Sequence, residues 1–196
     1  MSITKFTWKD FSWLNEPKKW KLTDDILEIL TNYESDFWQE TFYNFNHNSG
    51  HVFGIYVKEN FTMQVCVEAN FEELYDQAGV MIYSDEKHWL KAGIEFNDGQ
   101  PMIASVFTNE LSDWATGIFT GNPGKFWMRI TRVDRVICVK YSTDKIAWHL
   151  LRLCPYQEAD KYFVGVFSCS PKREKLKVIF RELSFSVPQE DILHSN

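Results

Sequence analysis

Short apolar or alternating runs recur along this chain, and turn-forming residues separate each run from the next. Asn97-Asp98-Gly99 and Gly121-Asn122-Pro123-Gly124 are two of these turns. The runs are Ile26 to Thr31, Val52 to Val57, Phe61 to Glu68, Ala78 to Tyr83, His88 to Phe96, Met102 to Thr108, Phe126 to Val133, Val136 to Tyr141, Ile146 to Leu153, Tyr162 to Cys169 and Leu176 to Phe185. Such runs at hairpin spacing predict an all-β fold, an antiparallel sandwich or jelly roll.

Length and composition favour a single domain. The chain has 196 residues, of which 44% are hydrophobic and 16% aromatic, enough bulky side chains to fill a core between two sheets. We predict one β-sandwich domain over residues 1–187 and a loose C-terminal tail over residues 188–196.

The charge balance argues against a nucleic-acid partner. The net charge is −6, whereas phosphate binding needs clustered Lys and Arg. The basic run Lys172-Arg173-Glu174-Lys175 is interrupted by Glu and follows a Ser-Pro turn. We interpret this run as a solvated turn.

The sequence also predicts a cytoplasmic protein with reduced thiols. The residues after Met1 lack the apolar core of a signal peptide, and no stretch approaches about 18 consecutive apolar residues, so we expect no membrane partner. Cys66 and Cys138 lie inside apolar runs, and Cys154 and Cys169 are widely spaced from them. We expect all four to be unpaired.

Little helix is predicted. Ser35 or Asp36 is a suitable N-cap for a single helical turn over residues 37–40. A second short turn is expected at residues 72–74.

One hairpin carries ionisable residues within buried strands, and it is the strongest candidate for a site. A loop at residues 84–87 would place Asp76 opposite Glu95, Val80 opposite Lys91 and Tyr83 opposite His88. Asp76, Lys91, Glu95 and Trp89 then share one face, because side chains alternate along a strand. On this register the opposite face, which contacts the other sheet, carries Gln77, Met81, Leu90 and Ile94.

Aromatic residues beside charged ones suggest where a ligand would bind. A sugar site combines an aromatic surface with a few polar groups, and Trp38, Trp89 and Trp114 each lie beside Asp or Lys, or two residues from it. The alternative is that these Trp residues belong to the core. The candidate cleft residues are Asp76, Gln77, Trp89, Lys91, Glu95, Trp38, Asp113 and Trp114.

No metal or cofactor site is predicted. His47 and His51 have a spacing that suits zinc, but no third or fourth ligand is near in sequence. We interpret them as a solvated loop pair, and no nucleophile elbow or phosphate-binding loop is present in the sequence.

Several motifs occur in an order that resembles the concanavalin A-like domain family that includes the fungal regulation-of-enolase proteins. They are Trp13-Leu14-Asn15-Glu16-Pro17, Ser35-Asp36-Phe37-Trp38, Tyr75-Asp76-Gln77-Ala78-Gly79, Trp89-Leu90-Lys91-Ala92-Gly93-Ile94-Glu95, Ser112-Asp113-Trp114 and Cys169-Ser170-Pro171. The resemblance covers nearly the whole chain. It implies a concanavalin A-like jelly roll and an influence on enolase.

Three functions remain open at this point. We expect a non-enzymatic regulatory protein that binds a carbohydrate, a sugar phosphate or a glycolytic partner. A glycoside hydrolase using Asp76 and Glu95 is the first alternative. Lys91 argues against it, because a cation between two carboxylates keeps both ionised. The E-x-D-x-E motif of related glucanases is also missing. A protein-interaction module is the second alternative, and the sequence leaves the oligomeric state open.

Overall fold

A computed structural model describes residues 6–194. In this range one 3-10 helix, Trp8–Asp10, precedes sixteen strands. The strands are β1 (Ser12–Leu14), β2 (Lys19–Thr23), β3 (Ile26–Leu30), β4 (Phe37–Gln39), β5 (Asn46–Asn48), β6 (His51–Val57), β7 (Phe61–Ala69), β8 (Gln77–Asp85), β9 (His88–Asn97), β10 (Gln100–Asn109), β11 (Leu111–Ile118), β12 (Lys125–Val133), β13 (Val136–Ser142), β14 (His149–Pro155), β15 (Tyr162–Cys169) and β16 (Lys177–Ser186). The all-β class predicted from the sequence is confirmed.

Two antiparallel sheets of seven strands form the body of the described chain. The first sheet has the order β1-β6-β15-β8-β9-β10-β11, and the second has the order β14-β13-β12-β7-β16-β3-β2. Strands β4 and β5 form a separate hairpin. This hairpin contacts the first sheet, where the Gln39 backbone N–H donates to Ser112 Oγ at 2.9 Å.

The main core lies between the two sheets. Alternate residues of β8 and β9, including Val80, Ile82, Leu90 and Ile94, are buried there with residues such as Val65 of the second sheet. The predicted core positions of Leu90 and Ile94 are therefore confirmed.

A second apolar cluster lies on the outer face of the first sheet, the face turned away from the second sheet. Met81, Trp89, Val106 and Phe167 contribute to it, and Phe37 of β4 covers it. Both faces of β15 are consequently buried, which explains why its sequence is mostly apolar rather than alternating.

The predicted register of the β8–β9 hairpin is wrong by one residue. Gln77 lies opposite Glu95, and Met81 lies opposite Lys91, because a bulge interrupts β8 between Tyr83 and Asp85. A shift of one residue exchanges the two faces of a strand. Gln77 and Met81 therefore share the outer face with Lys91, while Asp76 precedes β8.

The helical turn predicted at residues 37–40 is also wrong. Phe37–Gln39 is a strand, and the Asp36 carboxylate accepts the Phe37 N–H at 2.8 Å without starting a helix. The four cysteines are free and buried, as predicted. Within residues 6–194, no helix is long and apolar enough to cross a membrane.

Candidate functional site

A cleft of about 490 Å³ opens on the outer face of the first sheet, beside the β4–β5 hairpin. Its floor consists of strand residues Gln77, Lys91, Glu95, Val106 and Trp114. The remaining lining residues come from the hairpin and neighbouring loops: Tyr33, Glu34, Asp36, Trp38, Tyr43, Phe45, His47, Leu74, Tyr75, Pro171 and Lys172. A volume of this size accommodates a small organic ligand.

Lys91 is the buried cation of the cleft floor. Its Nζ donates to Asp36 Oδ1 at 3.0 Å and to the Phe37 carbonyl at 2.8 Å. Burial alone lowers the pKa of Lys91, but the charge of Asp36 and its other neighbours outweighs burial, and the pKa is raised. Lys91 therefore stays charged and holds the hairpin against the sheet.

Glu95 is a buried carboxyl group with an unsatisfied oxygen. The residue is 5% exposed, and Oε1 has no hydrogen-bond partner among the described residues. Burial is the largest influence and raises the pKa of Glu95 to about 7, although Lys91 and Trp114 act in the opposite direction. The carboxyl group consequently exists in both protonation states near neutral pH.

Trp114 supplies a buried donor beside Glu95. Its indole is close enough to lower the pKa of Glu95, yet its Nε1 makes no hydrogen bond of acceptable geometry with any described residue. The ring packs edge-on against Trp38 and Tyr75, with centroids 6.5 Å away in each case. Trp114 thus places an indole N–H beside the buried Glu95 carboxyl group at the floor of the cleft.

The β4–β5 loop forms an aromatic wall. Tyr43 and Phe45 stack with ring centroids 5.4 Å apart, and Tyr43 packs edge-on against Trp38 at 5.9 Å. The Trp38 N–H donates to the Thr41 carbonyl at 3.1 Å. A ligand in the cleft can therefore contact the ring of Trp38, but its N–H is already used. The hydroxyls of Tyr43 and Tyr75 lie 3.4 Å apart, which connects this wall to the loop before β8.

Five of the eight predicted site residues line the cleft: Trp38, Gln77, Lys91, Glu95 and Trp114. Trp89 shares their face, as predicted, but it is fully buried beneath them and its N–H donates to the Glu86 carbonyl at 3.1 Å. Asp113 lies outside the cleft, exposed and paired with Arg152 at 3.0 Å.

Asp76 also lies outside the cleft, in a buried ion pair. Its carboxylate accepts two hydrogen bonds from Arg173, from Nε at 3.0 Å and from Nη2 at 2.6 Å. The backbone N–H groups of Glu72 and Glu73 donate to it at 3.1 Å each. The predicted network is therefore wrong for Asp76, whereas Lys91 and Glu95 do lie together and influence each other's charge. Arg173 does not belong to a purely solvated turn.

Sequence reasoning missed Asp36, the actual partner of Lys91, and the aromatic wall. The Ser35-Asp36-Phe37-Trp38 motif was the available signal for Asp36, but its local pattern is equally typical of a helix cap. For the wall, the concentration of Phe42, Tyr43 and Phe45 in a polar loop was a usable signal.

The two histidines differ in environment. His47 lines the cleft, whereas His51 is buried in β6. His51 Nδ1 lies 2.6 Å from the Asn15 carbonyl, and its Nε2 accepts the Asn32 N–H at 3.0 Å. The predicted solvated loop pair is therefore wrong, since His47 also lies in a strand, β5, and is half-buried. Within the described range, no group of three or more His, Cys, Asp or Glu side chains is arranged to hold a metal ion.

Distantly related structures share this architecture. Lectin I-B4 from Griffonia simplicifolia superposes with a TM-score of 0.57 and 12% identity over 94% of this chain and 99% of the lectin. The GH43 protein BlXynB from Bacillus licheniformis superposes with a TM-score of 0.68 and 15% identity over 91% of this chain, which spans 37% of that protein. The fold and the cleft thus define a concanavalin A-like β-sandwich protein with a ligand-sized cleft on one face.

The chain belongs to the family described as "Protein of unknown function (DUF1349)", whose model matches residues 13–188. It is 45% identical over 183 residues to "Regulation of enolase protein 1" of Saccharomyces cerevisiae, covering 93% of this chain and 92% of the yeast protein. The crystal structure of a functionally unknown protein from the same yeast superposes with a TM-score of 0.92, with 43% identity over 94% of this chain and all of that one. The resemblance inferred from the sequence motifs is confirmed.

Proposed function

We propose that this protein is a non-enzymatic regulatory protein that binds a carbohydrate or a similar polyhydroxylated molecule in the cleft. The observation that carries the proposal is the combination of an aromatic wall, Tyr43 and Phe45, with a polar floor around Lys91 and Glu95. Aromatic rings cover the apolar face of a sugar, and fixed polar groups select its hydroxyls.

The regulatory part of the proposal is supported by similarity. The yeast relative is named for regulation of enolase, and it matches this chain over most of both lengths. We therefore include glycolytic proteins, enolase first, among the partners to be tested. We expect any effect on such a partner to require a ligand bound in the cleft.

Isothermal titration calorimetry and Trp fluorescence with neutral mono- and oligosaccharides test this proposal. Trp38 and Trp114 line the cleft, so a bound sugar should change the emission. Tyr43→Ala should weaken binding at least tenfold, because it removes a ring from the aromatic wall.

Phe42→Ala is the matched control for Tyr43→Ala. Phe42 is in the same loop, is 88% exposed and packs edge-on against Tyr43 at 5.0 Å, but it does not line the cleft. Its removal should therefore weaken binding far less than Tyr43→Ala does. If no sugar binds at millimolar concentration, the cleft is not a sugar site, and a protein-interaction module becomes the better explanation.

One observation favours a second candidate, a glycoside hydrolase. Glu95 has a pKa raised to about 7, as a general acid requires, and Asp36 lines the same cleft. The pair would be Asp36 and Glu95, since Asp76 is bound to Arg173. Against it, Asp36 Oδ1 already accepts hydrogen bonds from the Phe37 N–H, Lys91 and Gln77.

Time courses with β-glucan, xylan and galactan oligosaccharides distinguish binding from hydrolysis. We expect no product with the wild-type protein. Product release that Glu95→Gln abolishes would establish the hydrolase instead.

A further inference from the structure

A small groove of about 100 Å³ lies on the outer face of the second sheet, on the other side of the sandwich from the cleft. The groove is lined by strand residues and by the C-terminal tail: Thr62, Gln64, Arg129, Thr131, Ser184, Ser186, Gln189 and Ile192. This lining includes one cation and no carboxylate, since Glu190 and Asp191 of the tail do not line the groove. Sites for organic ligands start at roughly 300 Å³, so this groove suits a small ion or one polar group of a larger molecule.

Arg129 is held in a fixed position on this face. Its neighbours in β12, Met128 and Ile130, are buried in the core between the sheets, so the arginine points outward. The guanidinium lies over the Trp148 ring, 3.8 Å from the centroid, and its Nε and Nη2 donate to Gln64 Oε1 at 3.3 and 3.1 Å. Nη1 donates to no residue in the described part of the chain, so it is available to a ligand.

The charge of Arg129 has no counterion. Two other arginines of the second sheet pair with carboxylates, Arg181 with Glu68 at 2.9 Å and Arg152 with Asp113 at 3.0 Å. Arg129 forms no ion pair with any of residues 6–194. Burial lowers the pKa of Arg129, and no described carboxylate counteracts that effect. A half-buried, immobilised guanidinium of this kind favours an anion from solution.

Hydroxyl groups surround the guanidinium and provide further donors. Thr62 and Thr131 lie opposite each other in β7 and β12 with their Oγ1 atoms 2.9 Å apart, so one of the two keeps a free O–H. Ser184 and Ser186 follow on the same face of β16, and both are exposed. The donors therefore come from three neighbouring strands and surround the groove on more than one side.

We infer that this groove is a second binding site that takes a tetrahedral oxyanion, a phosphate or sulfate group, with Arg129 as its counterion. A guanidinium donates to oxyanion oxygens through charge-assisted hydrogen bonds, and the hydroxyls of Thr131 and Ser184 donate to the remaining oxygens. A neutral sugar would leave the charge of Arg129 uncompensated. Inorganic phosphate and a phosphate ester share the required chemistry, and the experiment distinguishes between them.

NMR titration of isotope-labelled protein with inorganic phosphate, and separately with glycerol 3-phosphate, tests this inference at constant ionic strength. We expect saturable shifts of the Arg129 Nε–H signal and of the Ser184 amide. Saturation by inorganic phosphate alone would support a site for the free ion, and saturation by the ester would support a site for a phosphorylated molecule. If neither probe saturates these signals, or if sodium chloride shifts them equally, the inference is wrong.

Variants connect binding to the groove. Arg129→Gln removes the counterion and should weaken phosphate binding more than tenfold. Arg181→Gln is the matched control, because it removes the same charge from the same face of the sheet but does not line the groove. Equal weakening in both variants would indicate a general charge effect and would overturn the inference.

Ser184→Ala is the second variant, because Ser184 is exposed and its hydroxyl is not needed for folding. It should weaken phosphate binding several-fold, since one donor to the anion is lost. This variant keeps the inference testable if Arg129→Gln does not fold, because Arg129 also covers Trp148. Unchanged affinity in Arg129→Gln, or in Ser184→Ala where Arg129→Gln does not fold, would show that the anion binds elsewhere.

Discussion

Lys91 Nζ lies 3.0 Å from Asp36 Oδ1, although 55 positions separate the two residues in the sequence. Lys91 belongs to the interior strand β9, whereas Asp36 immediately precedes β4 of the hairpin that forms the wall of the cleft. The ion pair therefore connects the wall to the floor, together with the hydrogen bond from the Gln39 N–H to Ser112. The contribution of this ion pair to the free energy of unfolding can be measured without a ligand.

We expect Lys91→Met to destabilise the fold by about 3 kcal/mol, because it removes the buried cation that donates to the Asp36 carboxylate and the Phe37 carbonyl. Asp36→Asn combined with Lys91→Met should cost less than the sum of the two single changes, by at least about 1 kcal/mol. Urea denaturation of the four proteins gives this coupling energy. Additive effects would show that the two residues do not interact.

The exposed pair of Lys87 and Glu110 provides the control. Its atoms are 2.9 Å apart, similar to the buried pair, but both side chains are more than half exposed. Lys87→Met should change the free energy of unfolding far less than Lys91→Met does.

The ion pair of Asp76 and Arg173 gives a second prediction. The sequence made Asp76 a catalytic candidate, but its role in the structure is to stabilise the fold. Asp76→Asn should destabilise the protein by about 3 kcal/mol, because it breaks a paired carboxylate that is 1% exposed. Glu72→Gln, which alters two exposed contacts, the one with Arg173 at 3.4 Å and the hydrogen bond from Asn70 at 2.6 Å, should cost less than about 1 kcal/mol. Thermal melts compare the variants. A stable Asp76→Asn protein that has lost a hydrolytic activity would restore Asp76 as a catalytic residue.

The strands were predictable from the sequence because their signals are local. Alternation and turn residues identified most of the long strands, and Leu90 and Ile94 were assigned to the core correctly. The register was not predictable in the same way. One bulge near Tyr83 shifts every β8–β9 pair that lies further from the connecting turn. No local sequence pattern shows which residue is the extra one.

The ion pairs could not be predicted because their partners are distant. Asp36 meets Lys91 across 55 positions, and Asp76 meets Arg173 across 97. The sequence correctly indicated that the charged residues Lys91 and Glu95 of β9 are buried. Charged residues in such positions need partners. It could not indicate that a separate hairpin provides the partner for Lys91.

The facing glycines Gly79 and Gly93 give a third prediction, on the same outer face of the first sheet. A Cβ at Gly79 would lie 2.0 Å from the Ala92 carbonyl oxygen, and one at Gly93 would lie 2.0 Å from the Ala78 carbonyl oxygen. Backbone atoms cannot give way easily, so either change to Ala should cost about 3 kcal/mol. Gly117→Ala is the control, because its Cβ would meet a side chain at an ordinary 3.6 Å. Equal stability of all three variants in urea would show that the two strands are further apart.

Glu95 gives a final prediction, a dependence of stability on pH. Burial raises the pKa of Glu95 from 4.5 to about 7, so between these values the folded protein keeps a proton that the unfolded chain releases. Stability therefore falls as pH rises through this window. The loss is roughly 3 kcal/mol, at about 1.4 kcal/mol for each pKa unit. Glu95→Gln removes this pH-dependent loss of stability. Lys91, Asp36 and Trp114 still surround the side chain at position 95 in the variant.

Urea denaturation at about pH 5 and about pH 8 measures the effect as the difference between wild type and Glu95→Gln. The variant should gain stability relative to the wild type at the higher pH. Glu110→Gln is the control and should show no appreciable difference in this range, because Lys87 lowers the pKa of its exposed carboxylate below 4.5. If the stabilities of the wild type and Glu95→Gln change in parallel across this pH range, Glu95 titrates as an ordinary exposed carboxyl group. The cleft floor would then lack its buried acceptor.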